Sequence, residues 1–172
     1  MADLNRKVKT TLVNPPPLKG VYRHQLYLSI GLAYMAAVLE ENGHEVTVID
    51  CPALNIDQEM LKTKLASIDP EIIGITSMTP TIQSAVLSAQ VAKQACPQST
   101  VVLGGPHVTF MDKEVLEEEK AVDVIVRGEG EQTLLELTQH AGKPKALDTI
   151  QGITFRKSWE MFQVSPKLTA LC

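Results

Sequence analysis

The chain has 172 residues, 44% of them hydrophobic and 21% charged, with a formal net charge of −4 and a pI near 5.6. That length supports one domain with a real core rather than two, and the absence of a Lys/Arg cluster argues against a nucleic-acid partner. No apolar run approaches the roughly 20 residues that span a bilayer, so no membrane partner is expected.

Along the chain, short β-branched runs alternate with helical patterns. KVKTTLVN (7–14) predicts a first strand, mostly apolar through its length as when both sheet faces are covered. SIGLAYMAAVLEENG predicts a helix whose buried stripe is Ile30, Ala33, Tyr34, Ala37, Val38 and Glu41, stopped at Asn42-Gly43. A second strand follows at EVTVIDC (45–51). A helix from about Asp57 to Ser67 then places Leu61, Leu65 and Ile68 in line. The third strand is IIGITSM (72–78). Its helix, TIQSAVLSAQVAKQACP, aligns Ile82, Ala85, Val86 and Ala89 and ends before Pro97. TVVLGG (100–105) and VDVIVRG (122–128) are the fourth and fifth strands. Helices begin after Asp112 (Val115, Leu116) and after Glu131 (Leu134, Leu135). The remainder, from GITF onward, reads as an added strand and a weakly specified tail.

Five βα units with short connections predict a doubly wound, Rossmann-like (flavodoxin-like) parallel sheet with helices on both faces, because right-handed crossovers place them there. The expected division is a single domain over residues 1–157 and a tail or linker over 158–172. MADLNRKVKT lacks a signal-peptide core. The three cysteines, Cys51, Cys96 and Cys172, are too far apart for a CxxC site or a disulfide framework. The expected setting is therefore the cytoplasm.

In such sheets ligands bind outside the carboxyl ends of the strands, which directs attention to Asn14-Pro15-Pro16, Asp50, residues 76–81, Gly104-Gly105-Pro106-His107 and Gly128-Glu129-Gly130. Each has a plain structural alternative. The paired glycines can be a strand-to-loop turn. Thr79 or Thr81 is expected to cap the following helix. His24 and His107 can be ordinary loop residues. Asp50 sits where dinucleotide folds carry a ribose-binding acid, but NPPPLKG is not GxGxxG. No Walker loop, GxSxG elbow or Cys/His nucleophile pair occurs. The residues assemble no catalytic apparatus; they suit holding a large ligand.

Taken together, NPPP, GLAYMAAVLEENGHEVTVID, ITSMTPT, VVLGGPHVTF and VRGEGEQTLLEL resemble the N-terminal cobalamin (vitamin B12)-binding domain of cobalamin-dependent radical S-adenosylmethionine enzymes, nearest the anaerobic magnesium-protoporphyrin monomethyl ester cyclase group. The likeness covers residues 7–157. It implies a five-stranded parallel sheet of order 2-1-3-4-5, with the corrin across the strand ends and the nucleotide tail inserted beside the sheet. Thr76, Ser77, Met78 and Thr79 would line the tail, and Gly104 and Gly105 would let it lie against backbone. Pro106 and His107 would turn the chain beneath the ring. Asn14, Pro15 and Pro16 would wall it, and Gly128, Glu129 and Gly130 would border the cleft. No histidine occurs in NPPPLKG, and His24 comes too late in the loop, so a base-off cobalamin without a histidine below cobalt is expected.

The partner domain of such enzymes holds a [4Fe–4S] cluster and S-adenosylmethionine through CxxxCxxC, a spacing this chain lacks. The resemblance thus implies a cofactor-holding module, noncatalytic alone, working with a radical S-adenosylmethionine domain of the same polypeptide. The loose ending at Cys172 makes an excised domain the expectation over a stand-alone carrier. The readings left beside it are a flavodoxin-like flavin or nucleotide domain and a ligand-free interaction module.

Overall fold

The computed structural model describes residues 6–18, 29–141, 144–156 and 162–164. Its sheet is built from β1 (Lys9–Asn14), β2 (Glu45–Asp50), β3 (Ile72–Thr76), β4 (Thr100–Gly104) and β5 (Val124–Val126), all parallel. Two further strands, β6 (Ile153–Arg156) and β7 (Phe162–Val164), join antiparallel at the β5 edge, giving the order β2-β1-β3-β4-β5-β6-β7. The sequence pattern anticipated the first five strands and one added strand, and the family resemblance implied their order; β7 lies past residue 157.

From β1 the chain steps one way to β2 and then back across to β3. Right-handed crossovers therefore send α1 (Ile30–Glu41) to one face and α3 (Gln58–Ile68) and α4 (Ile82–Ala95) to the other. A single-turn helix, α2 (Cys51–Leu54), follows β2, with Asp50 accepting from the Ala53 N–H. After β4 come α5 (Pro106–Phe110) and α6 (Asp112–Glu118), and α7 (Glu131–Gln139) follows β5 on the α1 side. The core consequently has two halves. Val13, Ile73, Ile75, Val101 and Leu103 pack against Leu61, Leu65, Ala85 and Ala89. Leu12, Val102, Val124 and Val126 pack against Leu32, Leu39, Leu134 and Leu135.

Three local expectations need correction. In α1 the buried residues are Leu32, Ala36 and Leu39, whereas Ile30 and Tyr34 are 70% and 64% exposed. The helix is apolar nearly all round, so periodicity does not set its phase. The face turned to the sheet carries Leu32, Ala36 and Leu39. Pro106-His107 is not a bare turn but the start of α5, with proline at the first helical position where its missing N–H costs nothing. Thr81 stands at the N-cap of α4 without capping it: its hydroxyl accepts from the Met78 N–H at 2.9 Å.

One buried histidine ties α7 to the sheet. The Val8 N–H donates to His44 Nδ1 at 3.3 Å, and His44 Nε2 lies 3.0 Å from Thr138 Oγ1, which donates to the Leu135 carbonyl at 2.6 Å. Accepting at Nδ1 leaves the proton on Nε2, so the three donors run in one direction through a neutral ring. Burial pulls the His44 pKa below 6.5. The unfolded chain then binds a proton that the folded chain refuses, so stability is full above pH 6.5 and falls as the pH drops below it. Urea unfolding across about pH 5 to 8 should show a slope of at most about 1.4 kcal/mol per pH unit on the acid side, and His44→Gln should flatten it.

Candidate functional site

Successive positions of β3 and β4 alternate in size as well as in facing. Ile73, Ile75 and Leu103 fill the α3/α4 face, while Gly74 and Gly104 stand on the other. The register aligns Leu12 with Gly74, Gly74 with Val102, and Thr76 with Gly104. Two glycines are thus stacked one residue pair apart on the face under α1 and α7. A glycine inside a buried strand marks a place where something approaches the backbone closely.

Above these glycines lies a cleft of about 120 Å³, partly open to solvent. Leu12, Gly74 and Val102 form its deeper floor, with Thr76, Gly104 and Val126 nearer the strand ends. Leu32 and Met35 of α1 make one wall; Gly130, Glu131 and Leu134 make the other. Gly130 lets that wall close in, since a Cβ there would meet Met35 Sδ at 3.3 Å and Val126 Cγ1 at 3.4 Å. The cleft lies over the carboxyl-terminal halves of β3, β4 and β5, the end of the sheet at which such folds bind ligands.

The paired glycines have two separate jobs. At Gly104 an added Cβ would find nothing nearer than the Val126 carbonyl at 3.9 Å; its bareness serves the cleft. Gly105 has φ +107°, and a Cβ there would lie 2.3 Å from the Ser77 carbonyl oxygen and 3.0 Å from its nitrogen. Its bareness serves the fold, because the chain leaving β3 presses against it. The Ser77 N–H and hydroxyl both donate to the Gly104 carbonyl, at 2.8 and 2.9 Å. Thr109, which the sequence reading passed over, extends the clamp: its hydroxyl donates to the Gly105 carbonyl and accepts from the Gly128 N–H.

Of the residues singled out from sequence, Thr76, Gly104, Gly105, Gly128 and Gly130 line the cleft. Ser77 is fully buried and turned onto Gly104 rather than toward the cleft. Pro15 and Pro16 are buried, and the Pro16 carbonyl accepts from Ser84 Oγ. Asn14 donates to Asp50 at 2.9 Å. Met78, Thr79, Pro106 and His107 stand along the rim beyond β3 and β4, where His107 Nδ1 and Thr79 Oγ1 are 3.3 Å apart. Glu129 is exposed beside the cleft mouth and does not line it. His24 lies outside the described residues. The reading from sequence missed Gly74, Leu12, Leu32, Met35 and Val102, although IIGIT carried the signal.

Among the described residues, Glu131 is the one ionisable side chain lining the cleft. Among the described residues no cluster of His, Cys, Asp and Glu is arranged to hold a metal ion, and no helix is long and apolar enough to cross a membrane. The Cys51 thiol is pushed up to about 12 by burial and by neighbouring Asp50, and burial raises Cys96 as well, so neither is a thiolate at neutral pH.

A family model for the B12 binding domain matches residues 21–138. An uncharacterized methyltransferase of Pyrococcus horikoshii is 32% identical over 94% of this chain and 36% of its own length. The anaerobic magnesium-protoporphyrin IX monomethyl ester cyclase of Rubrivivax gelatinosus is 39% identical over 62% of this chain and 19% of its own. Among solved structures, the radical S-adenosylmethionine methyltransferase TsrM from Kitasatospora setae, with cobalamin and a [4Fe–4S] cluster bound, superposes with a TM-score of 0.79 at 22% identity, over 95% of this chain and 30% of that one. The cobalamin-dependent S-adenosylmethionine radical enzyme OxsB with aqua-cobalamin bound gives 0.79 at 19% identity, over 96% and 23%. This chain spans between about a fifth and a third of the length of these relatives.

The two glycines should separate in a stability measurement. Gly105→Ala places a methyl group inside van der Waals contact with the Ser77 backbone at a left-handed φ, and should cost on the order of 3 kcal/mol or more. Gly104→Ala should change stability by less than about 1 kcal/mol. Equal losses in chemical denaturation would refute the division of labour.

Proposed function

The chain belongs to the B12-binding domain family, and on that premise we propose that its cleft receives the nucleotide arm of cobalamin while the corrin ring lies over the ends of β1, β3, β4 and β5. The carrying observation is the pair of side-chain-free positions, Gly74 and Gly104, stacked on one sheet face beneath two apolar helix walls. An arm ending in a flat heterocycle needs a slot of this kind: open along the strand ends, narrow against the sheet, and lined with hydrocarbon. A phosphate-led ligand fits less well, because Glu131 stands at the mouth and no glycine-rich phosphate loop follows β1.

Bound cobalamin supplies a cobalt centre suited to methyl transfer or radical chemistry. The part played by this chain is to hold and orient it. Gly104 and Thr76 admit the arm, while Gly130 sets how closely α7 approaches α1. The Ser77–Gly105 clamp keeps the rim rigid, and Met78, Thr79 and His107 line the rim facing the ring. No histidine occurs between Asn14 and Gly20, so that segment would supply no histidine ligand and a bound cobalamin would be held base-off. The longer relatives support a radical S-adenosylmethionine domain in the same polypeptide as the partner that holds the [4Fe–4S] cluster and performs catalysis. The buried free thiols of Cys51 and Cys96 support a cytoplasmic setting.

The chain mixed with hydroxocobalamin and passed over a desalting column should carry the corrin spectrum with it and melt at a higher temperature than the free chain. Gly104→Ala should weaken that binding by about tenfold or more through lost room alone, and His107→Ala should leave the bound spectrum unchanged. A protein that emerges colourless overturns the reading.

A further inference from the structure

The depth of the cleft carries information about which corrinoid fits. Its inner end is bounded by Leu12, Gly74 and Val102 on the sheet and by Leu32, Met35 and Leu134 on the helices. None of these side chains offers a hydrogen-bond donor or a strong acceptor. Nor is backbone free to do so: β3 runs between β1 and β4, and β4 between β3 and β5, so the amide groups of Gly74 and Val102 face ladder partners. Polar groups occur only nearer the strand ends, where Thr76 and Glu131 stand and where the Gly104 carbonyl already accepts twice from Ser77.

The geometry points to a site that selects among corrinoids by the polarity of their lower base, taking a hydrocarbon-rich benzimidazole in preference to a purine, with Leu12, Met35 and Val102 as the discriminating contacts. This rests on the cleft holding the nucleotide arm. Dimethylbenzimidazole presents two methyl groups and one free ring nitrogen. Adenine in the same place adds an exocyclic amine and two further ring nitrogens, each giving up water with no partner in exchange. Leaving one such group buried and unpaired weakens binding on the order of ten- to a hundred-fold. Each methyl group lost from the benzimidazole removes about a further fourfold. Rejection here comes from desolvation and not from shape, since the slot is bounded by flexible Leu and Met ends.

Binding of four corrinoids to the 172-residue chain, followed by equilibrium dialysis with corrin absorbance or by calorimetry, separates the possibilities. Cobalamin should bind most tightly, the unmethylated benzimidazole form next, and the adenine form at least tenfold more weakly than cobalamin. Cobinamide, which lacks the nucleotide altogether, should also bind more weakly than cobalamin. Met35→Gln brings an amide to the same wall, on a half-buried helix position that tolerates it, and should shrink the gap between the cobalamin and adenine forms. An adenine form that binds as tightly as cobalamin overturns base selection while the cobalamin assignment stands. Cobinamide equal to cobalamin overturns the placement of the arm in the cleft, and with it base selection. Failure of all four corrinoids to bind overturns the cobalamin assignment itself.

Discussion

The contact between the chain leaving β3 and the chain leaving β4 governs the geometry of this domain's upper rim. Ser77 gives both of its donors to one carbonyl, that of Gly104, and its own carbonyl occupies the space where Gly105 would carry a side chain. Two neighbouring strands are thereby held at backbone-to-backbone distance just past their last ladder bonds. The left-handed φ of Gly105 follows from that contact, and it swings the chain into α5. Thr109 on that short helix then reaches back to Gly105 and across to Gly128. The loops after β3, β4 and β5 are in this way fastened to one another, leaving the cleft to be shaped by what lies on the opposite side of Gly104.

Much of the architecture is legible in the residues because fully covered parallel strands read as continuous apolar runs, and five such runs in alternation with helices admit few topologies. The end of the sheet that carries the cleft was legible as well, since candidate ligand positions in such sheets follow from topology. The phase of α1 was not: Ile30, Leu32, Tyr34, Met35 and Leu39 surround the helix, and only packing decides that Leu32 and Leu39 face inward. The second antiparallel strand, β7, has three residues and no pattern of its own beyond its pairing to β6. Side-chain direction at the strand ends was likewise hidden. Ser77 and Gly104 are adjacent in any correct alignment of β3 with β4, yet nothing in TSMT says that the serine turns onto a neighbouring carbonyl rather than toward a ligand.

Gly74 shows why the deeper part of the cleft escaped notice. Glycines next to proline at strand ends draw attention as turn punctuation; a single glycine between isoleucines in IIGIT looks like a weak point in a good strand. Its significance appears only when β3 is placed beside β1 and β4, which sets the bare position between Leu12 and Val102 on one face. A Cβ at that position would come within 2.9 Å of Leu12 Cδ2, so the neighbouring leucine already leans over the gap.

The strands of this domain encode two kinds of alternation. In amphipathic sheets, polarity alternates with period two and separates core from solvent. Here β3 and β4 are apolar on both faces, and what alternates is volume: Ile73, Gly74, Ile75 in one strand, and Leu103 then Gly104 in the next. Toward the strand ends the bulk of Ile73, Ile75 and Leu103 goes to the face covered by α3 and α4, where buried alanines of α4 let large strand residues interdigitate. The α1/α7 face is left short of side-chain volume at Gly104, while at Gly74 the Leu12 side chain leans over the gap. A close-packed interior does not tolerate such a deficit without losing dispersion contacts and hydrophobic stabilisation. A ligand that fills the deficit restores those contacts, and its binding free energy then includes packing that most domains complete with their own residues. On this argument ligand affinity and folding stability in this domain are parts of the same packing problem, set by which strand positions lack a Cβ.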